Sequence, residues 1–423
     1  LIIGGCDCVD LAKEFKTPLY VMDETIIREN MHLYKNAMDQ YYDGKGMALY
    51  ASKALCNMAL CRIAEQEGLG LDVVSGGELY TAKKAGFPME KVYFHGNNKT
   101  PRELSEALEA GIKRIVVDNM HELKLLNEIC AQKGIKSQIA VRVKPGVDAH
   151  THDFIKTGQI DSKFGVALEN GEVLEFAALC KELEHIELVG LHCHIGSQIF
   201  DLEPFTETAE IMMDLLCKLK EEFGIIITEL NLGGGFGTKY TSEDDPIEYS
   251  RYIESVSAAV KKNCSEKGLE QPFMIMEPGR SIVAPAGLTL YTVGSVKDIE
   301  NIRKYVAVDG GMFDNPRYAL YEAKYSFLLA NKASALKDEI VTVAGKCCES
   351  GDLIGVDVAL PEAKPGDIMA VLATGAYNYS MSMNYNRNGR PPMILVKDGK
   401  ARIIVKGEEY SDIIRNDMIP EDL

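Results

Sequence analysis

Lys53 is the residue of this chain best suited to covalent chemistry. It lies in Leu-Tyr-Ala-Ser-Lys-Ala at 49–54, where a short apolar run ends in a lysine and a helical pattern follows. A lysine just past a buried strand can sit in a dry pocket, lose part of its preference for charge and attack carbonyl groups. Most lysines at strand ends are solvated caps, so this interpretation depends on the residues that accompany Lys53.

Polar groups recur at the ends of later apolar runs. Asp72 lies in one run, His194 follows another in His-Ile-Gly-Ser-Gln, and Glu277 closes a third in Glu-Pro-Gly-Arg. For Asp72, a structural and a functional role are equally favoured. His192 lies within its strand and is interpreted as a core histidine with satisfied hydrogen bonds.

The glycine-rich segment 233–237, Gly-Gly-Gly-Phe-Gly, is a candidate anion cradle. Glycines let backbone N–H groups approach an anion closely, and a helix start adds a favourable partial charge. The alternative is a tight turn without a ligand. A lysine for an aldehyde, a phosphate cradle and a carboxylate for a protonated ring nitrogen together predict a pyridoxal phosphate site.

These residues need a scaffold that brings strand ends together. Eight apolar runs alternate with helical patterns and predict eight buried strands, at Met47–Ala51, Leu71–Val74, Val92–Phe94, Arg114–Val117, Ile139–Val143, Ile186–His192, Glu229–Leu232 and Phe273–Glu277. Thr100 and Pro101 predict the start of one intervening helix. The alternation predicts an α/β fold with a parallel (β/α)8 barrel over residues 25–285, whose functional groups lie at the C-terminal strand ends.

The flanking segments predict a second domain. Thr17–Met22 reads as a strand, and short strands separated by turns follow from Leu288 onward. Residues 286–423, together with residues 1–24, are expected to form a mostly antiparallel β-domain. The segment 146–165, with His150 and His152, is a candidate lid.

Composition excludes several classes of function. The 63 acidic residues exceed the 46 basic ones, and the basic residues form no stripe of the kind that binds nucleic acid. No apolar run is long enough to span a membrane, and the first residues do not resemble a secretory signal. The 11 cysteines are odd in number and scattered, which indicates a reduced, cytoplasmic protein without a metal site.

Taken together, these motifs resemble those of the alanine-racemase-like (fold type III) pyridoxal phosphate-dependent decarboxylases. The matching segments run from about Thr17 to Arg390, and the loop at 158–165 is similar to the subfamily that acts on meso-2,6-diaminopimelate. The resemblance implies decarboxylation of that substrate to L-lysine, the last step of lysine biosynthesis. It also implies a head-to-tail homodimer with shared active sites.

The resemblance implies roles for individual residues. Lys53 would hold the cofactor as a Schiff base, and His194 would lie against its ring. The implied cofactor-binding residues are Lys53, Asp72, His194, Ser197, Gly234, Gly235, Gly237, Glu277, Gly279, Arg280 and Tyr377. The implied catalytic residues are Lys53, His194 and Cys348, of which Cys348 would donate or relay a proton from the partner subunit.

Substrate specificity is expected to come from the C-terminal domain. Arg317 and Tyr321 lie one helical turn apart, and an arginine suits bidentate binding of a carboxylate. The resemblance implies that Glu349 of one subunit binds the distal ammonium in the other subunit's site. The implied substrate-binding residues are Arg280, Arg317, Tyr321, Glu349 and Tyr377.

Other functions remain as alternatives. A decarboxylase of ornithine, arginine, D-lysine or D-ornithine would use the same fold, but those ornithine-type relatives carry Asp after the cysteine, where this chain has Glu349. A racemase would need two bases on opposite sides of one carbon. A catalytically inactive binding homologue is expected to lack Lys53 or Cys348, and both are present. A small cofactor carrier would not need the Arg317–Tyr321 and Cys348–Glu349 elements.

Overall fold

The computed structural model describes residues 1–147 and 161–423. His150, His152 and the first part of the 158–165 loop lie outside the described residues. The β-strands are Ile2–Ile3 (β1), Cys6–Asp7 (β2), Leu19–Asp23 (β3), Gly46–Ala51 (β4), Gly70–Val73 (β5), Val92–Phe94 (β6), Arg114–Val117 (β7), Ser137–Lys144 (β8), Val166–Ala167 (β9), Ile186–His192 (β10), Glu229–Asn231 (β11), Phe273–Met276 (β12), Gly287–Ile299 (β13), Arg303–Val308 (β14), Phe327–Leu329 (β15), Glu339–Ala344 (β16), Leu353–Leu360 (β17), Ile368–Leu372 (β18), Met393–Lys397 (β19) and Lys400–Val405 (β20).

The α-helices connect and flank these strands. They are Cys8–Phe15 (α1), Glu24–Tyr41 (α2), Met58–Gln66 (α3), Gly76–Lys84 (α4), Pro101–Ala110 (α5), Met120–Lys133 (α6), Glu172–Glu182 (α7), Glu203–Phe223 (α8), Tyr249–Lys267 (α9), Arg280–Val283 (α10), Arg317–Tyr321 (α11) and Tyr410–Ile414 (α12). None of the helices in the described residues is long and apolar enough to cross a membrane.

Eight strands close into a parallel barrel. Strands β4 to β8 pair with one another in sequence order, and β8 also pairs with β10. β10 then pairs with β11, β11 with β12, and β12 with β4, which closes the barrel. The predicted fold class is confirmed, and each of the eight predicted runs overlaps one barrel strand. Because all strands are parallel, their C-terminal ends meet at one rim of the barrel.

Local sequence signals set the helix boundaries around the barrel. Thr100 caps α5 through the Glu103 N–H, and the Glu103 side chain bonds back to the Thr100 N–H, which forms a capping box. Pro101 occupies the first turn, where no N–H partner is needed, and Gly111 ends the helix with φ +68°. The predicted start of this helix is confirmed.

The barrel interior contains an apolar layer and a buried ion pair. Leu49, Val116, Ala140 and Ile275 belong to a buried cluster that also includes Tyr93. At the N-terminal strand ends, Arg114 donates two hydrogen bonds to the Glu229 carboxylate, at 2.9 and 2.7 Å. Both residues are buried, so each charge depends on the other for compensation.

The chain divides into two compact units. The barrel unit comprises residues Arg28–Thr238 and Asp245–Ser281, and the β unit comprises Leu1–Ile27, Lys239–Asp244 and Ile282–Leu423. The short 239–244 piece, which interrupts the barrel sequence, was not anticipated from the sequence.

The β unit is built around one long strand. β13 pairs antiparallel with β3, β14 and β18, while β3 also pairs in parallel with β19. The N-terminal strand therefore joins the C-terminal sheet, as the sequence predicted, and it lies between β13 and β19. Sequence patterns missed β15 and β17, and the parallel pairing of β14 with β16. The apolar face of the sheet packs against α1 through Leu11, Leu19, Leu290 and Ile394.

Breaking the Arg114–Glu229 pair tests how the barrel interior is stabilised. We expect Glu229→Gln to lower the free energy of unfolding by about 3–5 kcal/mol, because it leaves a buried guanidinium without a carboxylate. The double variant Arg114→Met/Glu229→Leu removes both charges and is the matched control, with a much smaller expected loss. Urea unfolding followed by circular dichroism measures both, and equal losses would contradict this account.

Candidate active site

Lys53 lies at the rim of the barrel where the C-terminal strand ends meet. It follows β4 directly, in a short 3-10 turn at Ser52–Ala54, and it is half-buried. The adjacent Gly279 packs on this turn so closely that a Cβ at that position would lie 2.9 Å from the Ala51 Cβ. The position predicted for Lys53, just past the first barrel strand, is confirmed.

Two carboxylates lie near the Lys53 turn. Glu78 accepts hydrogen bonds from the Ser52 hydroxyl, at 2.9 Å, and from the Val74 N–H, at 2.7 Å, and so ties the ends of β4 and β5 together. Asp72, within β5, is buried, and its Oδ1 has no hydrogen-bond partner within the described residues. Burial raises the pKa of Asp72, while His95 and Lys53 partly offset that rise.

The glycine segment folds back onto the loop that carries His194. The Gly234 N–H donates to His194 Nδ1 at 3.3 Å, and the Gly237 N–H donates to the Ile199 carbonyl at 2.8 Å. A Cβ on Gly234 would lie 2.1 Å from the Glu277 carbonyl oxygen, so the close approach requires glycine. Of the three glycines in this segment that were predicted to bind the phosphate, two have N–H groups engaged with protein acceptors. The Gly235 N–H has no acceptor within residues 1–147 and 161–423.

Ser197 and Arg280 contact each other. Ser197 lies in the loop that carries His194, onto which the glycine segment folds. Arg280 donates to the Ser197 hydroxyl from Nε, at 3.2 Å, and from a terminal nitrogen, at 3.0 Å. Arg280 begins α10, directly after the Glu-Pro-Gly segment that follows β12. The structure thus brings together a hydroxyl, a guanidinium and the glycine segment, which are suitable partners for a phosphate.

Glu277 lies at the centre of a buried polar cluster. Its Oε1 accepts a hydrogen bond from Asn231 Nδ2 at 2.6 Å and lies 2.8 Å from His95 Nε2. Its Oε2 lies 3.2 Å from His192 Nε2. Burial alone would raise the pKa of Glu277, but the contacts with His95 and His192 hold it well below its usual value.

His192, at the end of β10, and His194, two residues beyond it, are neutral at neutral pH. Burial lowers the pKa of His192 to about 3, with opposing contributions from Glu277. Burial, followed by the nearby charges of Lys53 and Arg142, also lowers the pKa of His194 well below its ordinary value. Because His194 Nδ1 accepts the Gly234 N–H, the proton of this neutral ring is on Nε2.

Several members of this cluster were not predicted. His95 follows β6 directly and Asn231 ends β11, so the rule that placed Lys53 and His194 would also have found them. His192 was interpreted as a core histidine, and it is buried, but it contacts Glu277 and its Nδ1 has no partner in the described chain. The ligand-type atoms of His95, His192 and Glu277 lie within 4.8 Å of one another, a set that could hold a cation, although no metal was predicted.

In the β unit, Arg317 is surrounded by tyrosines. It is buried at the start of α11 and donates to the hydroxyls of Tyr325, at 2.8 Å, and Tyr240, at 3.4 Å. The Tyr377 ring centroid is 5.9 Å from its guanidinium carbon. Tyr321, the phenol predicted to accompany Arg317, ends the same helix and is half-buried. The two hydroxyls that Arg317 contacts are instead those of Tyr240 and Tyr325.

Cys348 and Glu349 lie in an exposed turn of the β unit. The turn is held by Asp352, whose carboxylate accepts hydrogen bonds from the N–H groups of Cys347, at 2.7 Å, and Met312, at 2.5 Å. Cys348 is exposed, whereas Cys347 is buried. Burial, and then the charge of Asp352, raise the pKa of the Cys347 thiol to about 12. Cys348 is therefore the accessible thiol of the pair.

These features fit pyridoxal phosphate. A close-packed glycine segment, an ionised buried carboxylate and a buried Asp72 oxygen without a hydrogen-bond partner in the described residues each supply what one part of that cofactor needs. A parallel barrel with such a site defines the class of enzymes that use pyridoxal phosphate as cofactor. The family model described as the pyridoxal binding domain of pyridoxal-dependent decarboxylases matches residues 24–284.

Comparison with individual relatives narrows this class. The diaminopimelate decarboxylase of Bacillus subtilis (strain 168) is 50% identical, over 99% of this chain and 95% of that protein. The enzyme of the same name from Bacillus methanolicus is 52% identical, over 96% of this chain and 94% of that protein. The solved diaminopimelate decarboxylase of M. jannaschii in co-complex with L-lysine has a TM-score of 0.90 and 39% identity, and covers 98% of this chain and 95% of that one. This chain belongs to the pyridoxal-dependent decarboxylases and, within them, to the diaminopimelate decarboxylase family.

The close approach at Gly234 predicts a sensitivity to side chains. We expect Gly234→Ala to weaken cofactor binding by about tenfold or more, because the added Cβ displaces the glycine segment from the Glu277 backbone. Gly77→Ala, where the nearest atom is the Ser75 Oγ at 3.7 Å, is the matched control. Titration of the apoprotein with pyridoxal phosphate measures both, and equal affinities of the two variants would contradict the cradle.

The buried histidines predict a pH dependence of stability. The unfolded chain takes up a proton on His192 near pH 6.5, whereas the folded chain does so only near pH 3. Stability is therefore lost as the pH falls below 6.5, by about 1.4 kcal/mol per pH unit for each such histidine. Urea unfolding of the apoprotein between pH 7 and 5 should show this slope. The slope of the free energy of unfolding against pH should decrease in His192→Gln. The slope should stay unchanged when the exposed His121 is replaced by Gln.

Proposed function

We propose that the protein decarboxylates meso-2,6-diaminopimelate to L-lysine and CO₂ with pyridoxal phosphate bound at Lys53. Support comes from family membership, and from full-length relatives that carry the name of this activity. The same names favour this reaction over decarboxylation of ornithine, arginine or D-lysine. The substrate assignment rests on the surroundings of Arg317, which is buried and hydrogen-bonded to two phenol hydroxyls.

Arg317 is a buried cation that lacks a carboxylate. Within the described residues it makes no ion pair, and its hydrogen-bond partners are two phenol hydroxyls. A buried guanidinium without a counter-charge is costly, and a bidentate carboxylate would compensate it. We infer that the distal carboxylate of the substrate binds here, with Tyr321 and Tyr377 alongside. Glu349 and Arg280 would complete recognition of the distal amino and carboxylate groups.

In the barrel unit, the residues have distinct tasks. Lys53 provides the amine that holds the cofactor covalently, and His194, neutral and half-buried, provides a face for the ring. Ser197, Arg280, the Gly279 backbone and the glycine segment hold the phosphate, and Asp72 provides an acceptor. When bound, pyridoxal phosphate accepts the electron pair that the departing carboxylate leaves on the substrate carbon.

The reaction is completed by a proton. Loss of CO₂ leaves an electron pair on the carbon that carried the carboxylate, and one proton must reach that carbon to form lysine. Cys348 is our candidate donor, because its thiol is exposed while that of Cys347 is buried and has a raised pKa. Lys53, once free of the cofactor, is the second candidate.

Cys348 and Glu349 are exposed, which agrees with a site completed between subunits. We therefore propose a homodimer in which the 347–352 turn of one subunit serves the active site of its partner. The 11 cysteines are all free thiols, which suits a reducing compartment such as the cytoplasm.

Turnover assays test the reaction and the role of Arg317 together. We expect the holoenzyme to release L-lysine from meso-diaminopimelate, as detected by mass spectrometry, and not to act appreciably on ornithine, arginine or D-lysine. Lys53→Ala should abolish turnover. Arg317→Met should lower kcat/KM for diaminopimelate by about tenfold to a hundredfold, since it removes a hydrogen-bonded charge.

The control for Arg317 is Arg251→Met, which changes an exposed arginine on α9. It should leave kcat/KM unchanged. D-Lysine lacks the distal carboxylate, so Arg317→Met should narrow the preference for diaminopimelate over D-lysine. A wild-type enzyme that acts only on a basic amino acid would overturn the assignment of Arg317 and Glu349.

A further inference from the structure

The surroundings of Glu277 define its role more sharply than its position alone. Its carboxylate contacts side chains from three other strand ends: Asn231 at the end of β11, His192 at the end of β10 and His95 just after β6. All four residues are at least nine-tenths buried. No lysine or arginine pairs with Glu277 within the described residues, so neutral donors and imidazoles compensate the charge.

The two carboxylate oxygens are not equally occupied. Oε1 has the Asn231 amide at 2.6 Å and His95 Nε2 at 2.8 Å, although the His95 contact lacks hydrogen-bond alignment. Oε2 has His192 Nε2 at 3.2 Å. A carboxylate oxygen can accept from about two donors. Oε1 is therefore contacted by two nitrogens, the Asn231 donor and the His95 ring, whereas Oε2 is contacted by one and has an acceptor position left.

The hydrogen bond to Glu277 determines the tautomer of His192. An ionised carboxylate only accepts, so Nε2 of His192 must carry the proton. Its Nδ1 is buried without a partner, and a second N–H there would be both charged and unsatisfied. His192 is therefore a neutral donor, in agreement with its low pKa.

We propose that His192, His95 and Asn231 are positioning residues that keep Glu277 ionised and reserve one acceptor position, on Oε2, for the N–H of the cofactor's pyridine ring. This inference rests on the proposed function, in which Glu277 pairs with that nitrogen. It assigns the protonation state of the ring nitrogen to three residues that make no other recognised contribution to the reaction.

The test uses holoenzyme reconstituted with pyridoxal phosphate carrying ¹⁵N in the ring. His192→Phe removes the donor but keeps a ring, whereas His192→Gln keeps an N–H donor at a similar reach. We expect the ring-nitrogen NMR signal to lie at the protonated position in the wild type and to move toward the unprotonated position in His192→Phe. His192→Gln should restore most of the wild-type signal.

Turnover gives the second measurement. We expect His192→Phe to lower kcat on diaminopimelate by about tenfold to a hundredfold, with a smaller loss in His192→Gln. In a Glu277→Gln background, adding His192→Phe should have little further effect, because His192 acts through Glu277. A merely structural role would give additive losses and would not move the nitrogen signal.

The outcomes separate this inference from the proposed function. An unchanged nitrogen signal in His192→Phe, or equal effects of Phe and Gln, would overturn the inference while wild-type lysine production stands. A wild type that shows the protonated signal but makes no lysine from diaminopimelate would overturn the proposed function instead. If His192→Phe does not fold, the pair His95→Phe and His95→Gln gives the same comparison at Oε1, with the same two outcomes.

Discussion

The barrel site depends on keeping one carboxylate charged where water is excluded. Burial alone would protonate Glu277, because transfer of a charge out of water costs far more than most single contacts return. The imidazoles of His95 and His192 reverse that tendency and hold the pKa of Glu277 well below its usual value. Much of the polar architecture at the barrel rim follows from this requirement, since each partner of Glu277 must itself be oriented by the strand or loop that carries it.

The parallel barrel meets this requirement through its topology. Asp72, His192 and Asn231 lie far apart in sequence, yet β5, β10 and β11 end at the same rim. Glycines then let the loops approach more closely than side chains would allow, as at Gly234 against the Glu277 backbone. Rigid strands position the charged groups, and the loops supply the backbone donors.

The β unit presents the opposite electrostatic situation. There the buried charge is a cation, Arg317, and its neighbours are phenols that can orient a guanidinium without neutralising it. An anion would supply the missing counter-charge, which is the physical basis of the proposed binding of a substrate carboxylate at Arg317. Asp352 has a different task, because its carboxylate organises the backbone of the turn that exposes Cys348.

The sequence by itself determined the barrel, its strand positions and the residues at most strand ends, because hydrophobic periodicity and Gly or Pro signals are local. It did not determine which groups meet. His95 and Glu277 are 182 positions apart and come together only when the barrel closes. Spacing along one short helix pointed to Tyr321 near Arg317, but it could not reveal that the hydroxyls of Tyr240 and Tyr325 contact the guanidinium. Protonation states were likewise decided by tertiary structure, since burial and neighbouring charges, not residue type, set the pKa values of His192, His194 and Glu277.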